Sequence, residues 1–253
     1  YRLHPLTLGE LPGAALPDLL EYGGFPEPFT RGRRRHWRRW NRERLDRVVR
    51  EDLRDLEQVR ELSLLELLVD ALPRRVGSLL SLNALAEDLE VSPRTVDRWV
   101  EMLSALYVCY RIAPFGAPAL RAVKKARKLY LWDWASVEEP GPRFENLVAS
   151  HLLKYCHLQE DTEGYRMELR FLRDRAGREV DFVVLRDHEP VFAVECKTSE
   201  KTRSRAVDYF RPRTAIPKFY QVHLGDRAFG DARTDCAVLP FSRFAELLHA
   251  NQV

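Results

Sequence analysis

The chain has 253 residues, of which 45% are hydrophobic and 31% are charged. This composition supplies a hydrophobic core and excludes a globally disordered protein. No apolar run approaches the roughly 18 residues that a membrane-spanning helix needs, so an integral membrane protein is excluded. The start of the chain lacks the pattern of a signal peptide. Because the first residue is Tyr1 rather than Met, we expect a piece of a longer protein.

Four cysteines are widely spaced, with no CxxC motif and no Cys/His cluster. This spacing predicts neither a zinc site nor a disulfide framework. It indicates buried free thiols in a reducing compartment, and we therefore expect a cytoplasmic protein.

Positive charge is concentrated near the N-terminus. The net charge is only +3, yet residues 31–60 hold twelve arginines and six acids on a predicted long helix that spans 33–60. The ordinary interpretation is a solvated helix face with arginine–acid pairs. The functional interpretation is a nucleic-acid surface, with Trp37 and Trp40 as stacking platforms. Its predicted phosphate contacts are Arg34, Arg35 and Arg38.

The most regular pattern of the first half lies at 81–113. Two apolar-periodic helices meet at a short turn, and Ser92 followed by Pro93 predicts the start of the second helix. A strand at 107–113 follows, and together these elements predict a winged helix-turn-helix. The string LAxxLxVSxRTVxRWxxxL resembles the helix-turn-helix of bacterial regulators, although Glu90 stands where a glycine is usual.

If the second helix of this motif enters a DNA groove, its exposed residues are the predicted base and phosphate contacts. The alternative is a scaffold or protein contact, since fold does not fix function. The stretch 113–134 would supply the wing. The candidate contacts are Arg94, Thr95 and Arg98 on the helix, and Lys124 and Lys125 in the wing.

From about residue 140 the pattern changes, after the turn signal Pro140–Gly141–Pro142. A helix at 144–156, in which we expect His151 to lie in the core, is followed by five strand-like segments and two further helices. We therefore predict an α/β (α+β) protein with two domains. A helical region with the winged helix-turn-helix spans 1–138, and a mixed-sheet domain spans 139–253.

The chemistry is concentrated in REVDFVVLRDHEPVFAVECKTS at 178–199. A hairpin centred at His188 places Asp181 opposite Glu195, and opposed side chains lie roughly 4.5–5.5 Å apart at Cβ. Two carboxylates at that distance repel, and a divalent cation would neutralise them. Lys197 would then orient a water or stabilise developing phosphate charge. The simpler alternative is a cross-strand ion pair between Lys197 and Glu179, which the same register brings together.

Asp181 followed by Glu195-Cys196-Lys197 resembles the core of the PD-(D/E)XK nucleases, although Val180 stands where that motif has proline. The resemblance implies that an acid on the preceding helix, here Glu145, joins Asp181 and Glu195 as a metal ligand. It implies that Lys197, Glu195 and Asp181 form the catalytic set, with Mg²⁺ or Mn²⁺ as the cofactor.

More of the chain resembles a narrower family, the domain of unknown function 4143 that follows an AAA-type ATPase core in bacterial and archaeal proteins. The similar segments cover nearly the whole chain: YGGFPE, the helix-turn-helix string, KLYLWDW, RFENLVASHL, GREVDFVV and VECKTS. The resemblance implies an upstream ATPase. This chain lacks the GxxxxGK[ST] motif, so we do not expect it to bind ATP through a P-loop.

The sequence leaves three functions open. The first is metal-dependent hydrolysis of phosphodiester bonds in DNA. The second is a non-catalytic DNA- or protein-binding module that targets or regulates the upstream ATPase. The third is a structural or oligomerisation domain with ordinary surface carboxylates. The expected partners are DNA and the upstream ATPase, with self-association open and no membrane.

Overall fold

A computed structural model describes residues 2–11, 15–52, 62–116, 127–200, 202–229 and 235–253. Its nine α-helices in these ranges are α1 (Leu16–Tyr22), α2 (Pro26–Arg31), α3 (Arg34–Arg47), α4 (Leu62–Ala71), α5 (Leu82–Asp88), α6 (Pro93–Ala105), α7 (Pro140–Glu163), α8 (Arg205–Phe210) and α9 (Phe241–His249). Its strands are β1 (Cys109–Pro114), β2 (Lys128–Leu131), β3 (Met167–Arg173), β4 (Glu179–Arg186), β5 (Glu189–Lys197), β6 (Phe219–His223) and β7 (Cys236–Pro240).

The strands form one seven-stranded mixed sheet in the order β2-β1-β3-β4-β5-β6-β7. β1 pairs antiparallel with β2 and parallel with β3, and β3, β4 and β5 form an antiparallel meander. β5, β6 and β7 are parallel. The predicted fold class, a helical region followed by a mixed sheet, is therefore confirmed. The sheet also continues into β1 and β2, which precede residue 138, and the predicted domain boundary stays a prediction.

Both faces of the sheet are covered, as a mixed sheet with buried strands requires. The larger core lies under α7 and α9, where Phe144, Phe241 and Phe244 are completely buried against apolar side chains of β4, β5 and β6. A smaller core forms under α8 around Val207 and Phe219. These two layers hold the ends of β4 and β5, where the predicted chemistry lies, on a rigid platform.

The helix-turn-helix segment has the predicted local structure. The hydroxyl of Ser92 accepts a hydrogen bond from Thr95 N and caps α6, which begins at Pro93. The turn before it places Glu90 at φ 54°, the left-handed region that usually favours glycine. The predicted wing residues Lys124 and Lys125 lie outside the described residues, so the winged helix-turn-helix stays a prediction.

Several helix boundaries differ from their predictions. The described part of the predicted helix 33–60 is α3, which ends at Arg47 and continues as a π-helical turn over Val48–Asp52. The rest of that prediction, residues 53–60, lies outside the described residues. The turn signal Pro140–Gly141–Pro142 forms the first turn of α7, because proline is well accommodated at the first helical positions.

The cysteines are free thiols, as the sequence analysis predicts. All four cysteines are free; three are buried and Cys196 is half-buried. Among the described residues, no helix combines the length and apolarity needed to cross a bilayer.

His151 lies in the core, as predicted, and joins α7 to the N-terminal segment. Its Nε2 accepts a hydrogen bond from Leu8 N at 2.9 Å, and its Nδ1 lies 2.8 Å from Leu147 O. These contacts require the neutral ring with its proton on Nδ1. Burial lowers the pKa of His151 to about 4.

This shift predicts a loss of stability in acid. Above pH about 6.5 the His151 ring is neutral in both the folded and the unfolded chain. Below that pH the ring becomes protonated in the unfolded chain but stays neutral in the folded chain, which favours unfolding. At pH 5 we expect His151 to lower the free energy of unfolding by about 2 kcal/mol relative to pH 7. Urea unfolding at both values tests this. His151→Gln should show a correspondingly smaller pH difference, and an unchanged difference would contradict the prediction.

Candidate functional site

The β4–β5 hairpin sets the positions of the central acids. Its turn consists of Asp187 and His188, both at positive φ (52° and 72°), and Arg186 pairs with Glu189. The centre of this turn lies between Asp187 and His188, half a residue before the predicted centre at His188. A bulge beyond it shifts the register back by one residue, so that Phe182 faces Val194. The next pair in that register is Asp181 and Glu195, as the sequence predicts.

Asp181 and Glu195 are fixed by different contacts. Oδ2 of Asp181 accepts a hydrogen bond from Cys196 N at 2.8 Å. Oε1 of Glu195 lies 2.5 Å from Lys197 Nζ. The Glu195 side chain is only 5% exposed, and its Oε2 is buried with no hydrogen-bond partner of good geometry among the described residues, although the nearby Ser204 hydroxyl favours its ionised form.

Glu145 lies on α7 and faces β2. Its Oε1 accepts hydrogen bonds from the Tyr130 hydroxyl at 2.7 Å and from Lys128 Nζ at 3.1 Å. Its Oε2 lies against Gly77, where a Cβ atom would approach to 3.0 Å. Gly77 also has a positive φ of 74°, so glycine here serves both the backbone conformation and the approach of the carboxylate.

Lys128 is the residue of this site that the sequence analysis missed. It begins β2, and its side chain is 1% exposed. Its Nζ contacts three acids: Glu145 Oε1 at 3.1 Å, Glu179 Oε1 at 2.5 Å and Asp181 Oδ1 at 3.8 Å. Burial opposes the charged form, but the attraction of these carboxylates outweighs it and raises the pKa of Lys128, so the ammonium stays protonated.

The alternative ion pair between Lys197 and Glu179 is not the arrangement found. Lys197 contacts Glu195, whereas Glu179 contacts Lys128 and Arg173, the latter at 2.9 Å. Lys197 therefore stays with the acid of its own strand. Partial burial opposes its charge, but Glu195 and, to a smaller extent, Asp181 raise the pKa of the Lys197 ammonium. We name the group of four acids Glu145, Glu179, Asp181 and Glu195 the acidic pocket.

Negative charge is in excess in the acidic pocket. Burial and the charge of Asp181 raise the pKa of Glu145 to about 7, against the attraction of Lys128. The same two causes raise the pKa of Glu195 to about 7, against the attraction of Lys197. Burial also raises the pKa of Asp181, which Lys128 and the Cys196 N–H oppose. A further cation would relieve this repulsion.

The donor chemistry of the pocket fits a hard divalent cation. Within the described ranges, no group of three or more His, Cys, Asp and Glu side chains is arranged around one metal position. Mg²⁺ needs only one or two carboxylates, because water and substrate phosphate complete its octahedral shell. Asp181 and Glu195 supply two adjacent carboxylates, and Oε2 of Glu195 has no partner of good geometry in the described part of the chain, so it could serve as a metal ligand. Glu145 is instead occupied by Lys128 and Tyr130, and its role as a ligand stays a prediction.

The predicted contacts on α6 have mixed exposure. Arg94 and Arg98 are exposed and lie four residues apart, on one helix face. Thr95 is half-buried, and its Oγ1 lies 2.8 Å from Ser92 Oγ within the helix cap. The structure therefore presents the two arginines to solvent, and their contact with DNA stays a prediction.

On α3, Arg34 is held by the protein itself: it donates hydrogen bonds to Glu21 O and Ala135 O and covers the ring of Trp37. Trp37 is buried and donates its Nε1–H to Asp133, so its prediction as a stacking platform is wrong. Trp40 is half-buried and packs on a phenylalanine.

Other arginines of α3 face an open groove of about 670 Å³. Arg35, Arg38, Arg39 and Arg42 are exposed along one wall. Glu66 and Asp70 of α4 are on the opposite wall. This groove is the part of the predicted nucleic-acid surface that the structure leaves accessible.

Two family models match parts of the chain. Residues 13–137 match a family described as a domain of unknown function (DUF8612). Residues 140–244 match a domain of unknown function (DUF4143). No curated protein and no solved structure matches the chain.

The DUF4143 match confirms that part of the predicted resemblance, but over a shorter range than expected. The segment before residue 138 matches the DUF8612 family instead. The DUF4143 region contains Glu145, Asp181, Glu195 and Lys197, whereas Lys128 lies within the DUF8612 match. The acidic pocket and its lysines thus draw residues from both matched regions.

Proposed function

We propose that the acidic pocket is a nuclease-like site that uses Mg²⁺ or Mn²⁺ to hydrolyse phosphodiester bonds in DNA. The observation that carries the proposal is the buried Oε2 of Glu195 beside Asp181, which has no hydrogen-bond partner of good geometry among the described residues. The Lys197 ammonium contacts the other oxygen of the same carboxylate. The order Glu145, Asp181, Glu195, Lys197 supports it through the resemblance to the PD-(D/E)XK core. The upstream AAA-type ATPase belongs to the same proposal.

Each residue would have a distinct role. Asp181 and Glu195 would hold the dication, which supplies Lewis acidity and lowers the pKa of a bound water. Lys197 is 34% exposed and reaches solvent, and Glu195 raises its pKa despite partial burial. A lysine that stays protonated does not act as a base at neutral pH. Its ammonium would instead stabilise charge that develops on the phosphate oxygens.

The test is cleavage of DNA by the purified chain with Mn²⁺. Asp181→Ala and Lys197→Ala should each lower the rate by about 100-fold, the scale found when one charge-stabilising group is removed. Asp226→Ala and Lys154→Ala are matched controls, since these residues lie outside the acidic pocket, and they should retain the rate. Equal rates in all five proteins, or cleavage that survives chelation of the metal, would contradict the proposal.

The groove along α3 favours a second function, a non-catalytic DNA-binding module. The first turn of α3 contains no acid, and Arg33, Arg34 and Arg35 lie at its N-terminus, where the helix dipole disfavours cations. Phosphate groups would relieve this repulsion. The same assays separate the two functions: DNA binding that weakens steeply with salt, without cleavage and unaffected by Asp181→Ala, would support the binding module alone.

A further inference from the structure

We propose that the Lys128 ammonium is a fixed cation of the acidic pocket and takes the place of a second metal ion. The pocket would then bind a single divalent cation, at Asp181 and Glu195. This inference rests on the proposed metal site and adds a positioning role for Lys128, a residue from outside the DUF4143 match.

The first argument is steric. Lys128 Nζ lies 3.1 Å from Glu145 Oε1 and 3.8 Å from Asp181 Oδ1. An Mg²⁺ ion that bridges two carboxylates must approach an oxygen of each to about 2.1 Å. The space between these two oxygens is therefore already filled by the ammonium, which also contacts Glu179 at 2.5 Å.

The second argument concerns the supply of ligands. Oε1 of Glu145 is engaged by Tyr130 and Lys128, and Oδ2 of Asp181 is engaged by Cys196 N. On the other side of Asp181, Glu195 keeps one oxygen without a partner of good geometry among the described residues. Free donor capacity is thus found on Glu195, whereas the Glu145 oxygen in contact with Lys128 is already engaged and the other, Oε2, lies against Gly77.

The third argument is the balance of charge. Among the residues that the structure describes, four carboxylates meet three cations in ion pairs at this site. They are Glu145, Glu179, Asp181 and Glu195 with Lys128, Lys197 and Arg173. When all are ionised, about one negative charge is left. One dication together with a phosphodiester monoanion brings the site to neutrality, whereas a second dication would leave an excess of positive charge, which is costly in a partly buried site.

Counting bound ions tests the inference without reference to activity. Mn²⁺ is titrated into the full chain, and stoichiometry is measured by calorimetry and by electron paramagnetic resonance of free Mn²⁺. We expect one ion per chain for the unmodified protein and two for Lys128→Met, which removes the ammonium but keeps most of the side-chain volume. The matched control is Lys154→Met, which should bind one ion. Lys154 lies on α7 outside the acidic pocket, and its ammonium pairs with Glu10.

The outcomes separate this inference from the proposed function. Two ions in the unmodified protein, or one in Lys128→Met, would overturn the role of Lys128 and leave the metal site standing. No ion in the unmodified protein would overturn the metal site, and the inference with it. If Lys128→Met does not fold, Lys128→Gln, which can still donate hydrogen bonds to the carboxylates but carries no charge, should bind two ions.

Discussion

Replacing Asp133 by alanine is expected to lower the free energy of unfolding by about 3 to 5 kcal/mol, the range found when one member of a buried charged network is removed. Asp133 follows β2 and is 1% exposed. It accepts hydrogen bonds from Trp37 Nε1 at 2.9 Å and from Ser136 Oγ and Ala135 N, both at 3.2 Å. Its charge also attracts the half-buried guanidinium of Arg44. The alanine variant would leave the three hydrogen-bond donors without their acceptor and the guanidinium without this opposite charge.

Urea unfolding measures this effect, and two variants calibrate it. Asp133→Asn keeps an acceptor but loses the charge, so its loss of stability should be intermediate. Asp88→Ala removes an acid that is 65% exposed and paired with the partly exposed Arg75, and should cost less than about 1 kcal/mol. If Asp133→Ala costs no more than Asp88→Ala, then Asp133 does not hold α3 to the sheet.

Asn146→Leu is expected to lower the free energy of unfolding by about 3 kcal/mol. Asn146 is completely buried, and its side chain satisfies both backbone groups of Leu131: Leu131 N donates to Oδ1 at 2.9 Å, and Nδ2 donates to Leu131 O at 2.8 Å. The carboxamide thus pairs with the free edge of β2. Leucine has a similar size but no polar atoms, so two buried backbone groups would be left unpaired.

Thermal unfolding followed by circular dichroism tests this prediction. Asn83→Leu replaces an asparagine on α5 that is not buried, and it should change stability by no more than about 0.5 kcal/mol. Because β2 also carries Lys128 and Tyr130, Asn146→Leu should loosen the contacts of Glu145 as well. Equal melting temperatures for the two variants would contradict the role of Asn146.

The sequence predicts the C-terminal sheet well, because its strands are short apolar runs separated by clear turn signals. The prediction of Asp181 opposite Glu195 depends on a turn centred at His188. The actual turn is Asp187–His188, and the bulge that restores the register lies next to Pro190, a residue type that strands accept at bulges. The predicted register is confirmed from Phe182 onward, because the earlier turn and the bulge shift the register in opposite directions.

Other features of the site depend on contacts distant in sequence, which local patterns do not encode. Lys128 looks like one of several basic residues beside the predicted wing, and only the folded chain brings it to Glu179 and Asp181. The prediction for Trp37 fails for a similar reason. Its arginine-rich neighbours indicate an exposed helix face, but Asp133, far along the chain, supplies the buried acceptor for its ring N–H.

The parallel pairing of β1 with β3 has a consequence for how this protein could be divided. Ala113 and Pro114 pair with Arg170 and Phe171, so the hairpin of β1 and β2 covers the flank of the meander. A fragment cut at residue 139 would expose the unpaired amides of β3, a template for self-association. We therefore expect the two halves to fold as one cooperative unit. A recombinant chain that exchanged only one half would leave this strand edge unpaired and would lose solubility.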